Sequence, residues 1–366
     1  MSHKRVLFVT TEFPPQPGGI GNHAYNLVNE LSENGFNVTV LTDYRSQDYS
    51  AENQFIDNQV FKVVRVKRYK LILLTYLKRI FLYLRLLRRN DVIFASGKFS
   101  LWMVGLNVFF NNRKRIAVVH GSEVNFKDFK KKIVDLSLKA FDSIVAVSDY
   151  TKSLLDTKLQ QKVVVIPNGF QIEVEAKKKS NDGNKEYYPQ LITVGNVTKR
   201  KGHQNLIKAL PKIKEQYPDV HYHIVGIPTE KQFMQELSNK LNVSEHITFH
   251  GRVSNEKKYE LLEQSDIFVM LSSETGTGDV EGFGIAILEA NAMGLPAIGS
   301  LNCGIESAIS DGSSGRLVNP NDTDDIVKGI NDIINDYARY SDLSIKWSER
   351  FTWDKIILHY KNVINQ

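Results

Sequence analysis

Residues 6–42 set out the pattern on which the chain is built. Val6-Leu-Phe-Val-Thr10 is an apolar run typical of a buried strand, and Pro14-Pro-Gln-Pro-Gly-Gly-Ile-Gly21 follows it as a stiff, glycine-ended loop. A helix is predicted over residues 22–34, ending at Gly35, and a second strand over residues 38–42. Strand, helix and strand in this order predict a parallel sheet with helices packed on its faces.

The alternation continues, stops and starts again, which predicts two domains in a chain of 366 residues. Residues 176–186 are polar, charged and rich in turn formers, as linkers are. The predicted strands before this linker include 92–95, 116–120, 144–148 and 163–166, and those after it are 190–194, 220–225, 247–250, 267–271 and 296–299. We predict an α/β protein with two doubly wound, Rossmann-like domains facing a central cleft. Ligands in such sheets bind beyond the carboxyl ends of the strands.

The composition is that of a globular protein, with 42% hydrophobic and 24% charged residues and a net charge of +6. Cys303 is the one cysteine, which excludes an internal disulfide framework and a cysteine-rich zinc site and suits a reducing cytoplasm. The first apolar run is too short for a signal peptide, and no stretch reaches the roughly 20 apolar residues needed to span a bilayer. The sequence therefore predicts a soluble or peripheral cytoplasmic protein.

A basic stretch over residues 62–90 carries ten lysines and arginines and no acidic residue. Large apolar residues are interleaved with these cations at helical spacing, as in a helix that lies in an anionic membrane interface. A core helix with a solvated basic rim fits the same pattern equally well. Nucleic acid is a weaker third alternative, because no zinc-finger spacing or RNA-binding aromatic signature accompanies the charge. We therefore predict no nucleic-acid partner.

The segment Asp279-Val-Glu-Gly-Phe-Gly-Ile-Ala-Ile-Leu-Glu289 places two glutamates, Glu281 and Glu289, on either side of a glycine-containing turn that runs into an apolar helix. Glycine lets the backbone approach a ligand closely, and the N–H groups of a helix start form an anion site. A phosphate between two hydroxyl-binding carboxylates matches the shape of a nucleotide sugar.

Three more loops follow predicted strands. The loop that contains Gly18 and Gly19 opens the first helix and suits contact with a phosphate or a substrate. His120 ends a strand, where it can hydrogen-bond a sugar hydroxyl or move a proton. Gly195-Asn-Val-Thr-Lys-Arg-Lys-Gly202 offers cations between two glycines, and Arg200 and Lys201 are suited to a diphosphate. Each loop alone also fits a purely structural role.

The chain has no His/Cys/Asp cluster with zinc-ligand spacing, no Walker-type loop and no nucleophile elbow. We therefore predict no cofactor and no metal. A leaving diphosphate would then have to be stabilised by Arg200, Lys201 and helix N–H groups.

Taken in order, these motifs resemble the retaining GT-B glycosyltransferases of group 1, family GT4. The matching pieces, from residue 5 to the end, are Gly18-Gly-Ile-Gly21, His120-Gly-Ser-Glu123, Ile166-Pro-Asn-Gly169, Gly195 to Gly202, Gly251-Arg-Val-Ser254, Ser265-Asp-Ile-Phe-Val269, Glu281 to Glu289 and Gly312 to Val318. The resemblance implies an acceptor-binding domain over residues 1–170, a linker over 171–188 and a donor-binding domain over 189–351. It also implies a last helix, 352–366, that packs back onto the first domain.

The resemblance assigns roles to single residues. Glu289 is expected to bind the ribose, Glu281 and His120 the donor sugar, and Arg200 or Lys201 the diphosphate. Backbone groups near the sugar and the diphosphate are expected from Gly18, Gly19, Gly195, Asn196, Phe283, Gly284 and Ile285. Asn196 stands where many relatives carry arginine, and Asn302-Cys-Gly-Ile-Glu306 lacks a proline common at that turn.

The function that the resemblance implies is retaining transfer of a sugar from a UDP- or GDP-sugar to a glycan or a lipid-linked glycan. Bacterial surface polysaccharide or lipopolysaccharide synthesis is the expected setting, with peripheral contact to the inner face of the plasma membrane through residues 62–90. The alternatives within the fold are a nucleotide-sugar epimerase and a sugar phosphorylase. A non-enzymatic basic binding protein is the alternative from another class.

Overall fold

The computed structural model describes residues 4–16, 18–46, 48–106, 113–126, 129–171, 188–276 and 278–366. The chain forms two compact units. Unit 1 comprises Met1–Gly169 together with Trp353–Gln366, and unit 2 comprises Phe170–Thr352. The predicted linker, 171–188, lies outside the described residues except at its two ends.

Unit 1 is built on a parallel sheet whose strands run in the order β3-β2-β1-β4-β5-β6-β7. The strands are β1 Arg5–Thr10, β2 Asn37–Asp43, β3 Lys62–Val66, β4 Val92–Ser96, β5 Lys114–Val119, β6 Ser143–Ala146 and β7 Val163–Val165. The helices are α1 Gly19–Glu33, α2 Ser50–Asp57, α3 Ile72–Leu87, α4 Lys98–Leu106, α5 Phe129–Lys139, α6 Asp149–Ser153, α7 Thr157–Gln160 and, at the C-terminus, α14 Trp353–Asn365.

The central strand β1 is buried on both faces, which explains its continuous apolar sequence. Val6 and Phe8 pack into one core with α1 and α14, and Leu7 and Val9 pack into a second core with α3, α4 and α5. Successive side chains of a strand point to opposite faces, so one run of four residues holds both helix layers to the sheet.

Treating the basic stretch 62–90 as one amphipathic helix was wrong for its first residues. Lys62–Val66 is β3, paired in parallel with β2, and the helix α3 begins only at Ile72. Arg79 is also not part of a solvated rim, because it is buried and its guanidinium is paired with the buried carboxylate of Asp43. The apolar residues of α3 divide between a buried face and an exposed one.

Unit 2 is built on a second parallel sheet, in the order β10-β9-β8-β11-β12-β13. The strands are β8 Gln190–Val194, β9 His221–Val225, β10 Ile247–Gly251, β11 Ile267–Met270, β12 Ala297–Ser300 and β13 Gly315–Val318. The helices are α8 His203–Gln216, α9 Lys231–Lys240, α10 Asn255–Gln264, α11 Ile285–Ala292, α12 Thr323–Asn335 and α13 Tyr337–Ser348.

Both sheets reverse their strand order next to the first strand of the unit. The reversal lies between β1 and β4 in unit 1 and between β8 and β11 in unit 2. The loops that leave the carboxyl ends of these strands diverge there and open a binding crevice. The four loops predicted to contact the donor, which contain Gly18, His120, Arg200 and Glu281, leave one of these strands or the adjacent β5. Both doubly wound sheets are therefore as predicted.

Among the described residues, no helix is long and apolar enough to cross a membrane.

Candidate functional site

The turn before α11 brings the backbone of unit 2 into a conformation that glycine favours. Gly284 has φ 94° and stands at the N-terminus of α11, which no side chain caps. A side chain at Gly304 would place its Cβ 2.1 Å from the backbone of Gly282, so the turn is packed against a second loop. Phe283 is 1% exposed and packs on Phe351, which leaves only its backbone available to a ligand.

The basic loop after β8 folds against the loop after β11. Gly202 has φ 77°, and a Cβ there would lie 1.7 Å from the carbonyl oxygen of Leu271. This close approach explains the second glycine of the loop. The side chain of Lys201 passes Gly195 at the other end of the loop. Its Cε lies 3.3 Å from the position that a Cβ added at Gly195 would occupy.

The three consecutive cations of this loop do not all contact the same residue. The ammonium of Lys199 lies over the ring of Phe233, 4.4 Å from its centroid. Arg200 and Lys201 instead meet at one oxygen of Glu281, with Arg200 Nη1 at 2.5 Å and Lys201 Nζ at 2.7 Å from Oε2. The Arg200 Nε also lies 3.1 Å from Asp279. Three residues predicted for the site, Glu281, Arg200 and Lys201, are thus in direct contact.

Glu281 keeps its charge although only 12% of its side chain is exposed. Burial alone would raise the pKa of the Glu281 carboxyl, but Lys201 and Arg200 outweigh burial and hold that pKa below its ordinary value. The result is a buried carboxylate that two cations neutralise.

Glu289 lies one turn inside α11 and has its own cation. Lys258 of α10 places its ammonium 3.0 Å from Glu289 Oε2, and both side chains are mostly buried, with 15% and 20% exposure. Sequence reasoning did not find Lys258. It adjoins Lys257 on a polar helix, and nothing in the spacing distinguishes one lysine from the other.

Asn196, which stands where many relatives carry arginine, has an exposed side chain. Its carbonyl oxygen is hydrogen-bonded by His203 Nε2 at 3.3 Å. The guanidinium nearest to Glu281 is therefore that of Arg200, four residues further along the loop.

In unit 1, Gly18 and Gly19 occupy different surroundings. A Cβ at Gly18 would lie 2.6 Å from the carboxylate of Glu12, so that position is already filled. A Cβ at Gly19 would meet nothing within 4 Å. The absence of a side chain at Gly19 therefore leaves open space at the start of α1.

His120 follows β5 and is held on several sides. Its Nε2 is 3.1 Å from Ser96 Oγ, its backbone N–H donates to Glu123 Oε1 at 2.5 Å, and its ring lies edge-on to His23 with centroids 4.9 Å apart. Burial lowers the pKa of His120 to about 4, so the ring is neutral at physiological pH. A neutral imidazole can donate or accept a hydrogen bond but carries no charge to stabilise an anion.

The pKa of Glu123 is shifted in the opposite direction from that of Glu281. Glu123 is 5% exposed, its Oε2 has no hydrogen-bond partner, and burial raises the pKa of its carboxyl to about 7. His23, which the sequence analysis did not single out, is 1% exposed within α1. Its spacing from Leu27 and Leu31 places it in the apolar stripe of that helix, which is the signal that could have identified a buried histidine.

In the described part of the chain, no three His, Cys, Asp or Glu side chains are grouped so that they could hold a metal ion.

Two family models match this chain. Residues 174–350 match the model described as glycosyl transferases group 1, and residues 17–174 match the model described as glycosyltransferase family 4. One relative is the GDP-mannose-dependent alpha-(1-6)-phosphatidylinositol monomannoside mannosyltransferase of Mycolicibacterium smegmatis. It is 26% identical over an alignment of 363 residues that covers 93% of this chain and 92% of the relative.

Solved structures match the chain over nearly its full length. HepE of Anabaena in complex with UDP-glucose has a TM-score of 0.79 at 18% identity and covers 99% of this chain and 100% of its own. The apo lipopolysaccharide outer core galactosyltransferase WaaB has a TM-score of 0.75 at 19% identity, covering 98% and 99% of the two chains.

Proposed function

We infer the function from one premise, which is that this chain belongs to the group 1 glycosyltransferases and is an enzyme of that family. Its two Rossmann-like sheets match those of GT-B glycosyltransferases, which confirms the fold expected from the sequence. We propose that it is a retaining glycosyltransferase that moves a sugar from a nucleotide-sugar donor to a glycan or lipid-linked glycan acceptor.

The observation that carries this proposal is the contact of Arg200 and Lys201 with Glu281 at the carboxyl end of the second sheet. A diphosphate and a sugar hydroxyl need opposite partners, namely cations and a carboxylate. This cluster holds both within one hydrogen-bond length of each other. The cations are mostly buried, at 24% and 14% exposure, where their attraction to a phosphate is screened less than in bulk water.

In the proposed reaction, the bond between the sugar C1 and the diphosphate oxygen breaks, and the diphosphate leaves with the electron pair. The acceptor hydroxyl attacks C1 on the face that the diphosphate leaves, which retains the anomeric configuration. Its proton passes to the leaving phosphate oxygen. Arg200 and Lys201 stabilise the charge that develops on the diphosphate, which makes a dedicated metal ion unnecessary.

The other residues are proposed to orient the donor. Glu289 accepts hydrogen bonds from the ribose hydroxyls through the oxygen that Lys258 does not hold, because the lysine contacts Oε2 only. Neutral His120 hydrogen-bonds the sugar. Backbone groups of Gly18, Gly19, Gly195, Asn196, Phe283, Gly284 and Ile285 approach the diphosphate and the sugar.

The relatives support a UDP- or GDP-sugar as donor and a lipid-linked or surface glycan as acceptor. By its name the Mycolicibacterium relative uses GDP-mannose and a phosphatidylinositol mannoside, while HepE is solved with UDP-glucose and WaaB acts on the lipopolysaccharide outer core. We propose a cytoplasmic enzyme of bacterial polysaccharide or lipopolysaccharide synthesis.

Thermal shift over UDP-, GDP-, ADP- and CMP-sugars tests the donor, since a ligand that binds the folded state raises Tm by mass action. Nucleotide release is then measured with the donor that binds, with and without candidate lipid-linked and glycan acceptors. We expect acceptor-dependent release and an α-linked product from an α-linked donor. Donor turnover that forms an epimer without acceptor, or that depends on free phosphate, would instead establish an epimerase or a phosphorylase.

We also propose that α3 touches an anionic membrane. Several large apolar side chains are exposed between Leu71, just before the helix, and Phe81, at 59% and 58% exposure. The cations Lys70, Lys78 and Arg85 are exposed along the same segment. An exposed apolar surface edged with cations suits insertion among anionic lipid headgroups. Asp43, the acidic neighbour of this segment, is paired with Arg79 and lies 3.9 Å from Arg68, so its ion pairs do not involve Lys70, Lys78 or Arg85.

Sedimentation with vesicles of phosphatidylglycerol and phosphatidylcholine tests this contact. Changing Lys70, Lys78 and Arg85 to Gln is expected to weaken binding and its salt dependence, and changing Leu73 and Leu77 to Ser is expected to weaken binding at any salt concentration. Arg79 stays unchanged, because its loss would remove the buried partner of Asp43 and leave only the exposed Arg68, 3.9 Å away. The triple change Lys208, Lys214 and Lys328 to Gln, in unit 2, is the control. Equal sedimentation by all variants and the wild type would refute the membrane contact.

A further inference from the structure

The buried surroundings of His23 connect the C-terminal helix to His120. His23 Nε2 lies 3.1 Å from the hydroxyl oxygen of Tyr360, and the two side chains are 1% and 0% exposed. On its other side the His23 ring meets the ring of His120 edge-on, with centroids 4.9 Å apart at an interplanar angle of 77°. One buried imidazole thus contacts both a tyrosine of α14 and the histidine predicted to bind the sugar.

The helix α14 contributes a second side chain to this arrangement. Trp353 and Tyr360 are seven residues apart on α14, which places them on one face two turns apart. The Trp353 ring lies 5.6 Å from the His23 ring, and it packs so closely on Gly169 that a Cβ there would approach it to 2.5 Å. His23 is therefore enclosed by α14 on one side and by His120 on the other.

Efficient packing of the core would not require polar side chains at the positions of His23 and Tyr360. Burying two polar groups costs free energy unless they are hydrogen-bonded, and two apolar residues of the same shape would avoid that cost. A buried hydrogen bond fixes the rotation of both rings, which an apolar contact does much less. The group that benefits is His120, whose ring plane is set by His23 on one edge and by Ser96 at Nε2.

We infer that Tyr360 and His23 are positioning residues for sugar transfer, because their hydrogen bond holds the His120 ring in the orientation that presents its second nitrogen to the donor sugar. No described residue forms a hydrogen bond with His120 Nδ1. This nitrogen also does not belong to the set of side-chain atoms that are buried without a hydrogen-bond partner. Nδ1 is therefore the ring nitrogen available to a ligand. This inference rests on the proposed function of His120.

Tyr360→Phe removes one oxygen atom and keeps the packing of the ring. Nucleotide release is measured with UDP-glucose and with GDP-mannose, with water as the acceptor. For whichever of the two donors the wild type uses, we expect kcat to fall roughly 10- to 100-fold. The donor KM is expected to change little, since the charged side chains proposed to bind the ribose and the diphosphate, those of Glu289, Arg200 and Lys201, lie in unit 2. Tyr83→Phe is the matched control, because Tyr83 is a fully buried tyrosine in the other core of unit 1. Its kcat is expected to equal that of the wild type.

His23→Leu and the double variant His23→Leu/Tyr360→Phe complete a double-mutant cycle. If both residues act on His120 through one hydrogen bond, the double variant loses no more than the more damaged single variant. His23→Gln retains a side chain able to bond Tyr360 and is expected to recover part of the loss. Additive losses in the double variant, or an unchanged kcat in Tyr360→Phe, would overturn the inference.

The ¹⁵N chemical shifts of the His120 ring provide a readout that needs no turnover. They are expected to change in Tyr360→Phe and to stay unchanged in Tyr83→Phe. If the wild type releases no nucleotide from any donor while these shifts respond as expected, the proposed function fails and the positioning contact stands. If the wild type transfers sugar and the shifts do not respond, the proposed function stands and the positioning role is wrong.

Discussion

At the carboxyl end of the first sheet, burial removes charge, whereas at the carboxyl end of the second sheet charge is kept. The pKa of His120 falls to about 4 and that of Glu123 rises to about 7, so both groups tend to be neutral. Glu281 is also mostly buried, with 12% of its side chain exposed, yet its pKa is lowered. The difference lies in the partners: Glu281 has two cations within 2.7 Å, while Glu123 Oε2 has no partner. Desolvation decides the charge only where no counter-charge is in contact.

This contrast fits a division of labour in the proposed reaction. The charged loops of unit 2 suit the diphosphate, which carries charge before and after transfer. The neutral groups of unit 1 suit sugar hydroxyl groups, because a hydroxyl is uncharged and is recognised through hydrogen bonds. Four changes, taken from the largest expected effect to the smallest, test the contrast.

Glu281→Gln is expected to have the largest effect. The variant leaves the charges of Arg200 and Lys201 without their carboxylate and removes the proposed sugar contact, so we expect transfer to fall by about 100- to 1000-fold. Loss of one partner of a buried pair is also expected to lower stability by up to about 3 kcal/mol. Steady-state kinetics and thermal unfolding measure the two effects.

Glu263→Gln serves as its control, because Glu263 is exposed on α10 in the same unit. Full transfer activity in Glu281→Gln would show that the charged cluster only holds loops together.

Lys258→Met is expected to act on donor binding. Without its cation, the Glu289 carboxylate is less well fixed for the ribose, and we expect the donor KM to rise about 10-fold, which corresponds to about 1.4 kcal/mol. The neighbouring Lys257→Met is the control, since Lys257 pairs with Glu260 in an exposed contact. A rise in KM of the same size in both variants would indicate a general loss of positive charge instead of a specific contact.

The stability of the fold is expected to decrease as pH falls from 6.5 towards 4. Burial lowers the pKa of His120, His203 and His223 from 6.5 to about 4 each, so in this window the unfolded chain binds more protons than the folded one. Such groups contribute stability that is present above their unfolded pKa and is lost as pH falls through the folded pKa. Thermal unfolding at several pH values measures the slope. His223→Gln, which removes one of the three groups, is expected to make the slope shallower, and an unchanged slope would count against the lowered pKa of that residue.

Glu123→Gln is expected to have the smallest effect and the opposite pH dependence. The pKa of Glu123 is raised from 4.5 to about 7, so the folded chain binds the extra proton between these values and stability is lost as pH rises through them. Glutamine resembles the protonated acid. We therefore expect the variant to match the wild type near pH 5 and to be more stable than the wild type at pH 8, by a small increase in Tm. A variant less stable at pH 8 would show that the charged form of Glu123 is the useful one.

The sequence alone was sufficient for the doubly wound class of both units and for the motifs at the carboxyl ends of their strands, but β3 and β13 were not predicted. Apolar runs at regular intervals predict strands that are buried on both faces, and the strand ends follow from them, which is why Glu281 and the cations of the 195–202 loop are found together. The strand β3, at the start of the basic stretch, was missed because Lys62-Val-Val-Arg-Val66 carries charges typical of a surface helix. Its pairing with β2 overrides that local signal.

The partners of the site residues could not be predicted in the same way. Lys258 meets Glu289 from another helix, and Tyr360 meets His23 from a position 337 residues away in the chain. Arg79 is buried by its contact with Asp43, at a distance of 36 residues. Contacts between distant segments depend on packing that no local pattern encodes. A buried polar side chain is a hint that such a partner exists but does not identify it.

The membership of α14 in unit 1 has a consequence for synthesis on the ribosome. Trp353, Ile356, Ile357, Tyr360, Val363 and Ile364 are part of the core that α1 and β1 begin. The first unit to leave the exit tunnel is therefore the last to be completed, since its closing helix is translated after the whole of unit 2. Until then the nascent chain exposes the apolar face of α1 that α14 will cover. A truncation that removes residues 355–366 thus leaves unit 1 without most of the helix that completes its core.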